Sequence, residues 1–244
     1  MKTSTKNSVI FVIITALILF LLIFFNQIKL KFELQPQKSV LNQEQITVII
    51  DAGHGGEDGG AVGINGILEK DLNLSIALKI GQILQSQNIN VIYTRTEDIL
   101  LYDKNVDYKN RKKALDLAAR VKIAEETPNC VFVSIHMNSF SNSKYSGLQV
   151  YYSKNNPQSN ELASTLQNAV RRNLQLQNNR KATEATSRIF ILDRLECPAI
   201  LIECGFISNP EECRILCTEI YQKQLSETIS EEIKKYVEKI PKQY

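Results

Sequence analysis

The strongest constraint on the fold is an alternation of short apolar runs with helical stretches that begins near residue 45. Leu72, Ile76 and Ile80 recur at helical spacing within one such stretch. Strands that alternate with helices predict an α/β fold in three layers, with helices on both sides of a central, twisted, mostly parallel or mixed sheet. The runs that predict strands are ITVII, NVIYT, CVFVSIH, LQVYY, RIFIL and AILIE.

A longer apolar run lies near the N-terminus. Residues 9–25 read VIFVIITALILFLLIFF, close to the roughly 17–25 apolar residues that span a bilayer. Lys2 and Lys6 precede the run, but no small-x-small cleavage site follows it. We therefore predict a transmembrane helix as an anchor, with a cleaved signal as the alternative, and a domain that is extracytoplasmic, either membrane-anchored or secreted. The predicted divisions are a short tail (1–8), the anchor or signal (9–25), a polar linker (26–44) and one catalytic domain (45–244).

Composition argues against a nucleic-acid partner. Lys and Arg number 29 against 26 Asp and Glu, for a net charge of +3. No basic block carries interleaved aromatic residues, as a nucleic-acid surface would. The five cysteines leave at least one thiol unpaired, which is unusual in an exported domain. We interpret the cysteines as small buried apolar residues.

Residues with metal-binding or acid–base chemistry follow several predicted strands. His54 lies in a glycine-rich loop after the first strand, and His136 ends a central strand. Ligand sites in open α/β sheets gather beyond the carboxyl ends of strands, so we expect both histidines at one edge. Catalytic zinc takes three protein ligands and keeps one position for water. One interpretation is that the two histidines bind zinc in a hydrolase. The other is that neither binds metal, with His54 a surface-loop residue and His136 a residue of the core.

Five further residues near these strand ends are candidates. Glu203 ends a strand that should be buried, where a carboxylate is costly unless it is paired or bound to metal. Glu69 precedes a helix, whose dipole also favours an acid there. Asp51 is a candidate partner of a ligand histidine, and Asn138 a candidate to bind substrate or orient the ligands. Arg95 is interpreted either as a group that binds substrate carboxylates or an acidic partner, or as a structural ion pair.

Three motifs together resemble a known family. They are VIIDAGHGGEDGGAVGINGILEKDLNL, FVSIHMNS and CPAILIECGFISNPEE, in that order along the chain. They are similar to the motifs of the zinc-dependent N-acetylmuramoyl-L-alanine amidases of the Amidase_3 type. The resemblance covers about residues 46–236, which is essentially the whole predicted domain.

The resemblance implies zinc ligands at His54, Glu69 and His136, and a catalytic base at Glu203. It further implies that zinc activates water and that Glu203 carries its proton to the leaving nitrogen. The bond cleaved would join the lactyl group of N-acetylmuramic acid to L-alanine of the stem peptide in peptidoglycan. Cys204 departs from the family pattern, where a small or β-branched residue is expected, so its thiol is either inert or competes for the metal.

The stretch YKNRKKALDLAARVKIA, the short N-terminal segment and the lack of wall-binding repeats resemble the germination-specific members of the family in endospore-forming bacteria. This resemblance implies a role in muramic-δ-lactam formation in the spore cortex, in the intermembrane space of the developing spore. It also implies control by expression or by an activating protein partner. The alternatives are a zinc exopeptidase, for which few histidines remain to bind a second metal, and a non-catalytic, membrane-anchored module that binds the cell wall.

Overall fold

One mixed sheet forms the frame of the fold in the computed structural model, which describes residues 45–102, 105 and 111–240. The strands lie in the order β2-β1-β3-β6-β4-β5. The pairs β1–β2, β1–β3 and β3–β6 are parallel, whereas β4 runs antiparallel to β6. The strands are β1 (Thr47–Ala52), β2 (Asn90–Tyr93), β3 (Cys130–Asn138), β4 (Gln149–Tyr152), β5 (Thr183–Glu184) and β6 (Ala199–Phe206).

Helices cover both faces of this sheet. They are α1 (Glu69–Ser86), α2 (Lys112–Glu125), α3 (Gln158–Asn173), α4 (Phe190–Arg194), α5 (Pro210–Leu216) and α6 (Glu219–Lys239). Ile200 and Ile202 of β6 point into the larger apolar core, which α1, α3 and α6 complete. Ala199 and Leu201 point into the smaller core on the opposite face, which α2 and α4 complete. The α/β fold with a mixed sheet between helical layers is confirmed.

One predicted strand is wrong. The last three residues of RIFIL begin helix α4, where Ile191 and Leu192 are buried, and the buried Leu195 follows the end of that helix. A short apolar run does not by itself distinguish a buried strand from a buried helix. The edge strand is β5 instead, and its two exposed polar residues carry no apolar pattern.

The predicted anchor (9–25) and linker (26–44) lie outside the described residues. Within the described part of the chain, no helix is long and apolar enough to cross a membrane.

A buried ion pair joins β1 to α2. Asp51 and Arg120 are almost completely buried, and Arg120 Nη1 lies 2.5 Å from Asp51 Oδ1. Thr94 and Ser134 donate hydrogen bonds to the same carboxylate at 2.7 and 2.5 Å. Burial opposes ionisation of Asp51, but Arg120 and the two hydroxyl groups outweigh it and lower the pKa. Asp116 accepts from Arg120 Nε at 2.8 Å, so the buried guanidinium is compensated from two sides.

We expect Asp51→Asn to lower the free energy of unfolding by on the order of 3 kcal/mol, because the buried Arg120 loses one of its two carboxylates. The folded-state pKa of Asp51 lies below the unfolded value of about 3.9. The stabilisation is therefore fully present above that value and is lost as pH falls through the folded-state pKa. Urea unfolding at neutral pH and near pH 3 measures both effects.

The difference between wild type and Asp51→Asn should shrink at the lower pH, and a constant difference would contradict the assignment. Glu126→Gln is the control, because Glu126 forms an exposed ion pair with Lys122. It should cost less than about 1 kcal/mol at either pH.

Candidate active site

Three side chains converge beyond the carboxyl ends of β1 and β3. His54 follows β1, Glu69 is the first residue of α1, and His136 lies near the end of β3. Glu69 Oε1 is 3.2 Å from His54 Nε2 and 3.0 Å from His136 Nδ1. One possible ligand atom from each residue lies within 4.8 Å of the others. The structure thus brings together the three residues that the sequence nominated as metal ligands.

The surroundings of these side chains fit a zinc ion. Two imidazoles and one carboxylate form a donor set that catalytic zinc takes, with a fourth position left for water. Backbone N–H groups of Ala61 and Met137 donate to Glu69 at 2.8 and 3.1 Å and hold the carboxylate in place. The two rings keep 15% and 19% of their surface exposed, so solvent and substrate reach the cluster.

Asp58 is a contributor that the sequence reasoning missed. Its Oδ2 lies 2.9 Å from His54 Nδ1, close enough for an ion pair although the two atoms are not aligned as a hydrogen bond. A carboxylate behind a ligand histidine orients the ring and raises its basicity. The available signal was the spacing of four residues between His54 and Asp58 within the glycine-rich loop.

Two glycines allow the close approach of these groups. A Cβ atom on Gly53 would lie 2.1 Å from His136 Nε2, and one on Gly60 would lie 2.5 Å from Glu69 Oε2. Gly60 also has a φ of +67°, and His54 itself adopts a φ of 60°, which is uncommon for a residue with a side chain. The glycine content of this loop is therefore a packing requirement of the cluster.

The charge of the cluster resides on Glu69. Burial raises the pKa of this carboxyl, but its hydrogen bonds to His136 and His54 outweigh that effect and lower the pKa strongly. For His54 the effects have the opposite sign. Burial lowers the pKa of the imidazole, but Glu69 and Asp58 outweigh burial and raise the pKa above its usual value. An ionised Glu69 supplies negative charge where a cation would bind.

Glu203 approaches the cluster from β6. It is the register partner of His136 in the parallel pairing of β3 and β6. Its Oε2 is buried and has no hydrogen-bond partner among the described residues. Burial raises the pKa of Glu203 to about 7, with a further rise from Glu69 and an opposing effect of His136 and His54. A carboxyl group with a pKa near neutrality is suited to accept and then release a proton.

Asp51 supports the site from behind and does not contact a histidine ring. Its two oxygens accept from Arg120, Thr94 and Ser134. Arg120 Nη2 in turn donates to the backbone carbonyl of His54 at 2.8 Å. The structure therefore links Asp51 to His54 through Arg120, whose guanidinium binds both the Asp51 carboxylate and the His54 carbonyl.

The guanidinium of Arg95 is occupied by backbone carbonyl groups, which favours a structural role over binding of substrate carboxylates. Arg95 is only 3% exposed. Its guanidinium donates to backbone carbonyls at 2.9 to 3.0 Å. The acceptors are Ala52, Gly53, Lys70 and Glu97. Arg95 therefore fixes the loop after β1 to the start of α1.

Asn138 and Cys204 complete the predicted set. Asn138 pairs with Phe206 in the register of β3 and β6, and its role toward substrate or ligands stays a prediction. Cys204 alternates with Glu203 along β6, so its side chain points into the larger core and is fully buried. Burial raises the pKa of the thiol. This placement supports an inert core residue and contradicts competition for a metal.

Comparison with known proteins identifies the family. Residues 48–235 match the profile of the Amidase_3 family, described as N-acetylmuramoyl-L-alanine amidase. This chain belongs to the Amidase_3 family. The amidase is 35% identical over 189 residues to the germination-specific N-acetylmuramoyl-L-alanine amidase of Bacillus subtilis, covering 78% of each chain. It is 27% identical over 234 residues to the amidase AmiA of Escherichia coli, covering 78% of this chain and 75% of AmiA.

Solved structures agree with this assignment. The CwlD amidase from Clostridioides difficile, solved in complex with the GerS lipoprotein, is 39% identical to this amidase with a TM-score of 0.74. The match covers 79% of this chain and 98% of that structure. The amidase AmiC2 of Nostoc punctiforme is 33% identical with a TM-score of 0.67, over 80% of this chain and 98% of that one.

We expect Gly53→Ala to weaken zinc binding at least about tenfold, because the new methyl group would displace the His136 ring. Zinc titration against a competing chelator measures the affinity. Gly59→Ala is the matched control, since a Cβ atom there meets Leu68 at an ordinary 3.5 Å. Equal affinities for wild type and Gly53→Ala would refute the position of the His136 ring.

Proposed function

We propose that this amidase uses a zinc ion held by His54, Glu69 and His136 to hydrolyse the amide bond between the lactyl group of N-acetylmuramic acid and L-alanine in peptidoglycan. The observation that carries the proposal is the convergence of these donors beside the unpartnered carboxyl oxygen of Glu203. Family membership identifies the bond, and the site supplies the groups that such a hydrolysis needs.

Glu203 is the group that moves the proton. A zinc ion in such a site supplies Lewis-acid chemistry, because it polarises carbonyl groups and lowers the pKa of water. Oε2 of Glu203 has no competing partner among the described residues, so it is available to accept the proton of the attacking water. The same oxygen then delivers that proton to the departing alanine nitrogen, so that one carboxyl group serves both steps.

The other residues of the site hold these groups in position. Glu69 is anchored by two backbone N–H groups, and His54 is held through its carbonyl by Arg120. Donors that are already oriented need little rearrangement when charge develops in the transition state. The family match favours the amide bond over the exopeptidase alternative. The presence of Glu203 beside the three donors favours an enzyme over a binding module.

We expect Glu203→Gln to retain zinc and to lower kcat by about 10²–10⁴-fold, because the amide cannot accept the proton. His136→Ala should lose both zinc and activity. Metal analysis and mass spectrometry of peptides released from purified peptidoglycan separate the two effects. Glu227→Gln, at a half-exposed carboxylate of α6, is the control and should match wild type. Wild-type turnover by Glu203→Gln would exclude Glu203 as the proton carrier.

We propose further that the enzyme acts on the extracytoplasmic side of a membrane during spore formation, with residues 9–25 as its anchor. The similarity to the germination-specific amidase of Bacillus subtilis supports this role. The complex of the similar CwlD amidase with the GerS lipoprotein supports a protein partner for this chain, and we propose that such a partner activates it.

The spore role is tested by the cortex of a deletion strain, in which muramic-δ-lactam should be absent. Complementation with the wild-type chain should restore the lactam, whereas the Glu203→Gln chain should not. Normal lactam content after deletion would exclude a cortex function while leaving the amidase activity intact.

A further inference from the structure

A positively charged side chain lies on an aromatic surface near the proposed site. Arg180 Cζ is 4.8 Å from the ring centroid of Phe206 and 5.8 Å from that of Tyr145. Phe140 meets Tyr145 edge-on with ring centroids 5.0 Å apart. Phe140 and Tyr145 are 54% and 46% exposed, so the aromatic surface is open to a ligand. We call these four residues the arginine platform.

The platform adjoins the proposed site through the sheet. Phe206 and Glu203 lie on the same strand, β6. Phe206 pairs with Asn138 and Glu203 pairs with His136 in the same strand pair, with a shift of register between the two positions. Burial and Glu203 raise the pKa of Tyr151 on β4, and Arg180 opposes the rise, so both charged groups lie within electrostatic range of this residue. A substrate whose amide bond lies at Glu203 therefore reaches the platform within a short distance.

The charge of Arg180 is available to a ligand. No carboxylate of the described chain lies within ion-pair distance of it, although Arg180 opposes the rise in pKa that burial causes at Glu212. The carboxylate of Glu212 accepts instead from backbone N–H groups of Gly147 and Phe206 at 2.8 to 3.1 Å. Arg180 Nε donates to the Ser146 carbonyl at 3.2 Å. Its Nη groups have no hydrogen-bond acceptor among the described residues.

A cavity of about 620 Å³ opens beside Arg180. It is separate from the metal cluster, since none of His54, Glu69 and His136 lines it. Its volume falls within the roughly 300–1,000 Å³ of small-ligand sites. Arg180 lines it together with polar side chains such as Gln175 and Asn178 and with the carboxylates of Glu211 and Glu212. The Glu212 carboxylate is already held by backbone N–H groups.

We propose that Arg180 binds a free carboxylate of the stem peptide, the half of the substrate that leaves after hydrolysis. This inference rests on the proposed amidase function and adds a subsite for the peptide. A guanidinium offers two parallel N–H donors that match a carboxylate. Its stacking on Tyr145 and Phe206 restricts its rotamers before the ligand arrives, which lowers the entropic cost of binding. Phe140 and Tyr145 provide apolar contact for the neighbouring part of the substrate.

The test measures binding to the full-length chain in detergent, with Glu203→Gln present so that the ligand is not hydrolysed. The ligands are a disaccharide tetrapeptide with free peptide carboxylates and the same compound with carboxamides in their place. Calorimetry should show the carboxamide form binding roughly 10–100-fold more weakly. Adding Arg180→Gln should weaken binding of the carboxylate form by a similar factor and leave the carboxamide form unchanged. Arg180→Lys should restore part of the preference, because the charge remains but the planar pair of donors is lost.

Arg194→Gln is the matched control, because Arg194 also stacks on an aromatic ring, with its Cζ 5.2 Å from the Phe190 centroid. Arg194 is the last residue of α4 and precedes the first residue of β6, so it lies at the end of that strand opposite to the site. Arg194→Gln should therefore change the affinity for neither ligand. Equal weakening of both ligands by Arg180→Gln would show a structural role only and overturn the subsite. Equal affinity of the starting protein for both ligands would overturn it as well. Hydrolysis by the otherwise wild-type chain is measured separately, so a failure of the amidase function is distinguished from a failure of the subsite.

Discussion

The site depends on two buried guanidinium groups that hold the loop after β1. Arg95 and Arg120 both donate to the carbonyl of Ala52, and between them they also hold the carbonyls of Gly53 and His54. Two neighbouring cations are tolerable in this interior because Asp51 and Asp116 form ion pairs with Arg120 and also attract Arg95 electrostatically. These bonds help to keep a loop that leaves the sheet with His54 at positive φ in that conformation.

The geometry of the cluster follows from this loop. Gly53 passes so close to the His136 ring that no side chain fits between them, and Gly60 does the same for Glu69. The three predicted ligands come from a loop, a helix and a strand. Backbone N–H groups hold Glu69, and Arg120 holds the carbonyl of His54. Glu203 differs from them, because its inward oxygen is left without a partner. The same strand continues to Phe206, so Glu203 and the ring under Arg180 lie on one strand.

The residues of the site are easier to predict from sequence than the buried residues that hold them in position. His54 and His136 lie at the ends of apolar runs that predict strands. When strands alternate with helices, the strands run parallel and their carboxyl ends meet at one edge of the sheet. Glu69 was nominated by its motif alone, since an acid at the start of a helix is common for other reasons. Arg95 and Arg120 were harder, because whether an arginine faces a ligand or a row of carbonyls depends on how segments distant in sequence pack. The strand predicted over RIFIL failed for a related reason, as the packing of α4 decides its conformation.

Hydrophobic periodicity is a local property of the chain, and it is enough to predict the α/β class and a mostly parallel or mixed sheet. The prediction of His54, Glu69 and His136 as metal donors rests on the resemblance of the motifs. Tertiary packing sets the link from Asp51 through Arg120 to the His54 carbonyl, the position of Asp58 beside the His54 ring and the burial of Cys204 in the core. It also placed Arg180 over Phe206, far from it along the chain. These are contacts between segments that meet only after folding, and burial, strand alternation and hydrogen-bond geometry select the partner in each case.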